Sequence, residues 1–136
     1  MCTGWAFVND GKLFDCGVGE SWPCADLAVI ERPQVYTPGQ SKGNPNDLIT
    51  LAIRVGRYVE RLARVGIRSE LVLPNEWKGT INKDRHHARV RRNMPASELK
   101  LAKERLSGLS DSIAHNAWDA VALAYWFSRK QTHKVR

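Results

Sequence analysis

Two acidic residues stand at positions where a carboxylate could bind a divalent metal ion. Glu31 directly follows the apolar run 27–30, which is typical of a buried strand, and open α/β sheets bind ligands beyond the carboxyl ends of such strands. Asp119 interrupts the apolar stretch 117–124 of a predicted helix, where a charge needs a partner or a metal. Mg²⁺ prefers carboxylate oxygens and retained waters. The plain alternative for Glu31 is a strand-end carboxylate that faces solvent or pairs with Arg32.

Two neighbours could assist Asp119. His115 lies four residues before it and Asn116 three before it, so on a helix either side chain can share its face. This spacing would place a nitrogen or oxygen ligand beside the carboxylate. The sequence leaves two alternatives open, which are a hydrogen bond from His115 to Asp119 within the helix and a salt bridge from Asp119 to an arginine elsewhere.

The segment 78–92 is dense in side chains that can bind phosphate. It contains Lys78, Lys83, Arg85, His86, His87, Arg89, Arg91 and Arg92. Such residues beside a metal site could hold a nucleic acid strand and neutralise charge developing on a phosphate. The side chains expected to contact DNA are Arg85, His86, Arg89 and Arg92. Tyr36, in the loop 33–36, could stack on a base. A basic helix that only faces water is the alternative.

The overall composition narrows the classes of protein and partner. Of 136 residues, 43% are hydrophobic, which is enough for one domain with a core of ordinary size. The formal net charge of +7 favours a polyanionic partner such as nucleic acid, with an inert basic surface as the alternative. Three cysteines without a C-x-x-C spacing disfavour a disulfide framework or a zinc site. No segment has the length of a membrane span, and we expect a cytoplasmic protein.

The sequence predicts a mixed α/β fold that opens with a hairpin. Strands at 3–8 and 12–18 flank Asp10-Gly11, and Asp-Gly between β-rich runs is a strong hairpin signal. After the middle of the chain, helices are predicted at 83–92, at 95–106 and from Ser110 or Asp111 to about Arg129. The helices would flank a sheet made of the hairpin and two further, parallel strands.

The two parallel strands come from a β-α-β unit. The strand 27–30 precedes a long helix that begins with Asn44 as N-cap and Pro45 in its first turn, and that stops near Gly66. A short strand at 70–73 follows. The order strand, crossover helix, strand indicates parallel pairing, because the helix carries the chain back to the end of the sheet at which the first strand began.

Five segments, in this order, resemble the RuvC-type Holliday junction resolvases. They are TGWAFV at 3–8, the hairpin, AVIE at 28–31, WKG at 77–79 with Lys83, and HNAWDA at 115–120. The likeness spans nearly the whole chain, and the WKG segment looks especially like the phage and bacterial RuvC-like branch. The resemblance implies an RNase H-like fold, a homodimer in a bacterial or phage-infected cell, and Mg²⁺- or Mn²⁺-dependent symmetric cutting of four-way DNA junctions.

The resemblance also assigns roles to individual residues. Glu31 matches the second acidic ligand of the family and Asp119 the last, while Lys78 and Lys83 match its catalytically important basic residues. Asn116 takes the place of the third ligand, usually Asp. An amide oxygen can bind a metal but carries no charge, so Asn116 or His115 serves, or the metal affinity is lowered.

One feature of the family has no counterpart in the sequence. The family's first Asp lies on a central strand ahead of the TGW segment, whereas this sequence starts just before that segment. Asp10 and Asp15, in and after the hairpin turn, are not convincing replacements. We therefore expect residues 1–136 to form a single RNase H-like domain that is incomplete at its N-terminus, with strand edges exposed by the missing strand.

Three functional hypotheses follow. The leading one is a structure-selective DNA endonuclease that uses in-line attack by water with two metals about 4 Å apart, as the resemblance implies. The second is an inactive or truncated RuvC-like module that binds branched DNA without cutting it. The third, a small-molecule enzyme of the doubly wound type, is disfavoured because no glycine-rich phosphate loop follows a strand.

Overall fold

The computed structural model describes residues 2–34, 44–79 and 81–134. Its elements are β1 (Gly4–Asn9), β2 (Lys12–Val18), β3 (Leu27–Glu31), α1 (Pro45–Arg64), β4 (Arg68–Val72), α2 (Pro74–Trp77), α3 (Lys83–Asn93), α4 (Ala96–Leu106) and α5 (Asp111–Lys134). The fold is mixed α/β, as predicted. The chain divides into two compact units: unit 1 comprises Met1–Cys24 and Ile81–Arg136, and unit 2 comprises Ala25–Thr80.

Unit 1 opens with the predicted hairpin, in which β1 and β2 pair antiparallel. Asp10 and Gly11 have φ angles of 54° and 74°, and positive φ at both central residues is what a type I′ turn requires. The strands carry a β-bulge, because Phe7 pairs with Asp15 and Val8 with Leu13. The bulge leaves Phe14 unpaired and 49% exposed. Phe14 therefore lies outside the core.

Helices α4 and α5 cover the inner face of this hairpin. The buried cluster includes Leu13 and Cys16 of β2 together with Ala117 and Val121 of α5. Gly4 lets β1 approach α5 closely, since a Cβ atom there would overlap the backbone of Asn116. Helix α5 runs on to Lys134, beyond the predicted end near residue 129, and its last buried residues are Tyr125 and Phe127.

A buried carboxylate joins three elements of unit 1. Glu98 of α4 is 6% exposed, and its Oε1 accepts hydrogen bonds from the Leu13 backbone N–H at 2.6 Å and from the Tyr125 hydroxyl at 2.7 Å. Leu13 lies at the bulge, where the ladder of backbone hydrogen bonds is disturbed. Glu98 thus satisfies a buried amide of β2, and it ties α4 and α5 to the hairpin.

Unit 2 is the predicted β-α-β unit. Strands β3 and β4 pair parallel, with Glu31 opposite Val72, and α1 packs against β4. The Asn44 side chain caps α1 by accepting from the Asn46 N–H at 2.9 Å, and Gly66 ends the helix region with a φ of 80°. Strand β4 begins at Arg68, two residues before the predicted start.

The single-turn helix α2 was not predicted, since a segment of one turn has no apolar periodicity. Pro74 begins it, and the Leu73 N–H ahead of it donates to Glu76 Oε1 at 3.1 Å. Of the helices in the described ranges, none combines the length and the hydropathy that a membrane span needs.

Candidate functional site

In unit 2, Glu31 is the last residue of β3, and two residues of the α2 region contact its carboxylate. The Trp77 indole Nε1–H donates to Glu31 Oε2 at 3.0 Å, and Lys78 Nζ lies 3.7 Å from the same oxygen. Because β3 and β4 are parallel, their carboxyl ends share one edge, and α2 starts at that edge directly after β4. This topology brings together Glu31 and Lys78, two residues predicted for the site.

The two contacts to Glu31 differ in character. Trp77 is buried and its indole nitrogen can only donate, so this hydrogen bond fixes the position of Oε2. The Lys78 ammonium is beyond hydrogen-bond distance, and the Glu31 side chain is 39% exposed, so water screens this ion pair and it adds little stability. Lys78 instead supplies a positive charge next to the carboxylate. Glu31 is thus held by aromatic and basic partners from later in the chain.

In unit 1, the partner of Asp119 comes from another helix. His87 Nε2 of α3 lies 2.7 Å from Asp119 Oδ1, and the two side chains are 8% and 26% exposed respectively. An ionised carboxylate can only accept, so we assign a proton to His87 Nε2, which donates it to Asp119. The hydrogen bond from His87 to Oδ1 thus comes from a helix other than the one that carries Asp119.

Asn116 and His115 are half-buried on α5, one turn ahead of Asp119. Asn116 shares the Asp119 side of the helix, since three residues on a helix subtend little less than one turn. Its backbone carbonyl lies against Gly4 of β1. The glycine of the TGW segment therefore fixes the place of α5 at the residues of the HNAWDA segment, which links two motifs that are far apart in sequence.

Helix α3 presents two chemically distinct faces. Its inner side carries His87 and Val90, and Met94, the residue that directly follows the helix, is also buried. Arg85 and Arg89, together with Arg92, form an exposed row on the opposite side. The exposed row has the spacing and charge to follow the phosphates of a nucleic acid strand.

A second contact fixes the orientation of α3. The Arg91 guanidinium lies 4.3 Å from the centroid of the Trp118 ring, a cation–π contact that neighbours the bond between His87 and Asp119. His86, which was predicted to contact DNA, is half-buried, and both of its ring nitrogens are shielded from solvent. The basic residues of α3 thus divide into an exposed row and residues that contact α5 or lie close to the core.

Two predicted residues fall wholly or partly outside the described residues. Tyr36 lies in the range 35–43, which the structure does not describe. Lys83 is the first residue of α3, but its side chain is also outside the described part of the chain. Their predicted roles remain predictions.

Sequence reasoning did not predict the two residues that contact these carboxylates: His87 was placed among the side chains that can bind phosphate, and Trp77 was assigned no contact with Glu31. For His87 a signal existed, because it precedes Val90 by three residues and Met94 by seven, which places it on the apolar face of α3. A histidine at such a position needs a polar partner. For Trp77 the sequence carried no comparable signal, because α2 is a single turn.

The side chains around Glu31 and Asp119 can be compared with those that Mg²⁺ or Mn²⁺ needs as ligands. Among residues 2–34, 44–79 and 81–134, no three His, Cys, Asp or Glu side chains cluster in a way that could hold a metal ion. Glu31 belongs to unit 2 and Asp119 to unit 1. Each carboxylate accepts a hydrogen bond from a ring N–H, and metal-binding carboxylates are commonly oriented in this way by a neighbouring donor. Carboxylate oxygens are ligands that Mg²⁺ and Mn²⁺ accept, so Glu31 and Asp119 could each contribute one ligand to such an ion.

Comparison with protein-family models found no matching family, and comparisons with curated proteins and with solved structures found no match.

Proposed function

We propose that this chain is a metal-dependent, structure-selective DNA endonuclease of the RuvC type, with an RNase H-like fold and four-way junctions as its substrate. One observation carries the proposal: both acidic residues predicted as ligands are oriented by a ring N–H of a buried side chain, Trp77 for Glu31 and His87 for Asp119. Orienting partners of this kind are typical of carboxylates that bind metals.

The proposed roles follow from the environments of the side chains. Glu31 and Asp119 supply carboxylate oxygens, and Asn116 supplies an amide oxygen from the same side of α5 as Asp119. Lys78, beside Glu31, places a positive charge where negative charge develops on the phosphate. A bound divalent ion would lower the pKa of a water molecule and neutralise charge on the reacting phosphate.

Substrate binding would use the exposed row of α3, Arg85, Arg89 and Arg92, which neutralises backbone phosphates irrespective of sequence. We expect two copies of the chain to act on one junction, since symmetric cutting needs two equivalent sites. Light scattering of the free protein and of its junction complex measures this stoichiometry.

The strand pairing differs from the single mixed sheet that the sequence predicts. Among the described strands, β1 pairs with β2 and β3 pairs with β4, so the antiparallel hairpin and the parallel pair form separate two-stranded sheets. The RNase H-like assignment is therefore supported by the resemblance of the five sequence segments and not by the sheet.

The test is cleavage of a synthetic four-way junction and of a linear duplex of the same sequence, with Mg²⁺ or Mn²⁺. We expect paired, symmetric nicks in the junction alone. Replacing Glu31→Gln or Asp119→Asn is expected to slow cutting by at least ~100-fold, because several kcal/mol of charge stabilisation is lost. Equal cutting of both substrates, or cutting that survives both replacements, would contradict the proposal.

A second candidate is a module that binds branched DNA without cutting it. The observation that favours it is Lys78, whose ammonium lies 3.7 Å from Glu31 Oε2 and already partners the carboxylate. This candidate predicts metal-independent, salt-sensitive junction binding that survives the loss of both acids. Binding should fall when Arg89 and Arg92 are replaced by Gln; an unchanged salt dependence in that variant would exclude the role of α3.

A further inference from the structure

The contact between His87 and Asp119 joins two helices across the inner side of α3. His87 is almost fully buried, and the short distance of 2.7 Å between Nε2 and Oδ1 indicates a charge-assisted hydrogen bond. The two residues are 32 positions apart in sequence, so the bond depends on the packing of α3 on α5.

A histidine is a costly choice at this position if packing is its only purpose. The neighbouring residues on the same face, Val90 and Met94, are apolar and pack with the core cluster. An apolar residue at position 87 would supply no donor to Asp119 Oδ1. What distinguishes His87 from these neighbours is its hydrogen bond to Asp119.

A hydrogen bond at one carboxylate oxygen restricts rotation of the whole group. With Oδ1 held by His87, the carboxylate plane of Asp119 is fixed, and so is the direction of its second oxygen. Asp119 remains 26% exposed, so the fixed group is accessible from solvent. This combination of a buried orienting donor and a part-exposed carboxylate is suited to binding a cation with little reorganisation.

We infer that His87 is a positioning residue, which holds Asp119 through its Nε2–H in the orientation that binds the divalent metal. The inference rests on the proposed function. His87 does not touch the reacting atoms, and it acts only through Asp119. Because the stacking of Arg91 on Trp118 is a separate contact between α3 and α5, loss of the His87 hydrogen bond leaves the exposed arginine row in place.

Three variants of the full chain separate this role from simple packing. His87→Leu removes the donor and keeps an apolar side chain of suitable size. His87→Gln restores an N–H donor on a residue that favours helix. Val90→Ala is the matched control, since it removes packing from the same face of α3 and leaves the hydrogen bond intact.

The first readout is affinity for Mn²⁺, measured from the electron paramagnetic resonance signal of the free ion. We expect His87→Leu to weaken binding about 10–100-fold, as replacement of a residue that orients a metal ligand commonly does. His87→Gln should recover most of this loss, and Val90→Ala should lower stability without changing the Mn²⁺ affinity. Metal-free junction binding should be the same in all three variants.

The second readout uses the wild-type chain and so does not depend on the folding of any variant. In ¹H–¹⁵N spectra of the wild-type chain, the His87 ring should show the proton on Nε2, and its signals should move when Mg²⁺ is added. The inference is overturned if Mg²⁺ binds and these signals stay fixed, or if His87→Leu binds Mn²⁺ as tightly as Val90→Ala. Binding that depends on His87 without any junction cleavage would overturn the proposed nuclease and keep the inference, whereas a wild-type chain that binds no metal would overturn both.

Discussion

The two units of the molecule hold their acidic residues in different ways. In unit 1, α5 is packed so closely on the hairpin that Ala117 and Val121 have no exposed surface, and the carboxylate of Asp119 meets a buried imidazole at 2.7 Å. In unit 2, one long helix packs on β4, and Ile49 and Ile53 of that helix remain more than half exposed, at 59% and 54%.

Glu31 reflects the more open surroundings of unit 2. It is 39% exposed, it takes one hydrogen bond from Trp77, and its charged neighbour Lys78 is at 3.7 Å. The two carboxylates therefore differ in how strongly their partners are shielded from water, and this shielding sets how firmly each carboxylate is held. A closely packed helix pair can hold Asp119 with one short bond, whereas a part-exposed strand end relies on an indole donor and a screened charge.

The largest effect on stability should come from adding a side-chain atom at Gly4, where β1 contacts α5. Gly4→Ala places a Cβ atom into the backbone of Asn116, so we expect the free energy of unfolding to fall by at least ~3 kcal/mol. Gly56→Ala in α1 is the matched change in unit 2, where nothing lies within 4 Å of the new atom. It should raise stability by ~0.5–1 kcal/mol through helix propensity. Urea unfolding measures the free energy of unfolding of each variant. Equal changes in the two variants would contradict the closer packing of unit 1.

The next effect concerns carboxylates that have no proposed role in binding. Glu98→Leu leaves the Leu13 N–H and the Tyr125 hydroxyl without their acceptor, and should cost about 2–4 kcal/mol. Glu60→Leu removes only the pair with Arg64, in which both side chains are largely exposed, and should change stability by less than ~0.5 kcal/mol. A loss for Glu98→Leu no greater than that for Glu60→Leu would show that the buried carboxylate does not anchor β2.

A smaller effect depends on pH and tests the burial of unit 1. Burial, aided by the charge of Asp15, raises the pKa of the Cys16 thiol from an ordinary 9.0 to about 11. The folded state then favours the neutral thiol, so its contribution to stability is complete below pH 9 and is lost as pH rises toward 11. The loss should reach about 2–3 kcal/mol.

The control for this pH dependence is Cys16→Ala, which has no thiol to titrate. Its stability should fall less steeply between pH 9 and 11 than that of the wild type, by the amount that Cys16 contributes. Thiol labelling at pH 8.5 gives an independent check, since the exposed Cys24 should react quickly and Cys16 only on unfolding. Identical pH profiles for both chains would contradict the assigned burial.

Local signals predicted much of the fold. Asp10-Gly11 specified a turn with two positive φ angles, and Asn44, Pro45 and Gly66 marked the ends of α1, because each of these acts through its own backbone conformation or cap. The bulge at Phe14 left no such signal. It depends on Leu13 and Cys16 both reaching the core, and hence on packing by helices from much later in the chain.

In the candidate site, too, some residues could be predicted from local sequence and others could not. Glu31 and Asp119 could be selected from their positions in apolar segments, but their partners could not, because Trp77 is 46 residues from Glu31 and His87 is 32 from Asp119. Contacts over such distances are set by tertiary packing. A pattern in sequence can show that a buried charge needs a partner, and the fold decides which residue provides it.

The central claim is that Glu31 and Asp119 bind a divalent metal. A Mn²⁺ titration, followed by electron paramagnetic resonance, of the wild-type chain and of Glu31→Gln and Asp119→Asn tests it most directly. We expect saturable binding by the wild type and an affinity at least ~10-fold lower in each variant, since each loses a charged ligand. Binding by both variants as tight as that of the wild type would contradict it.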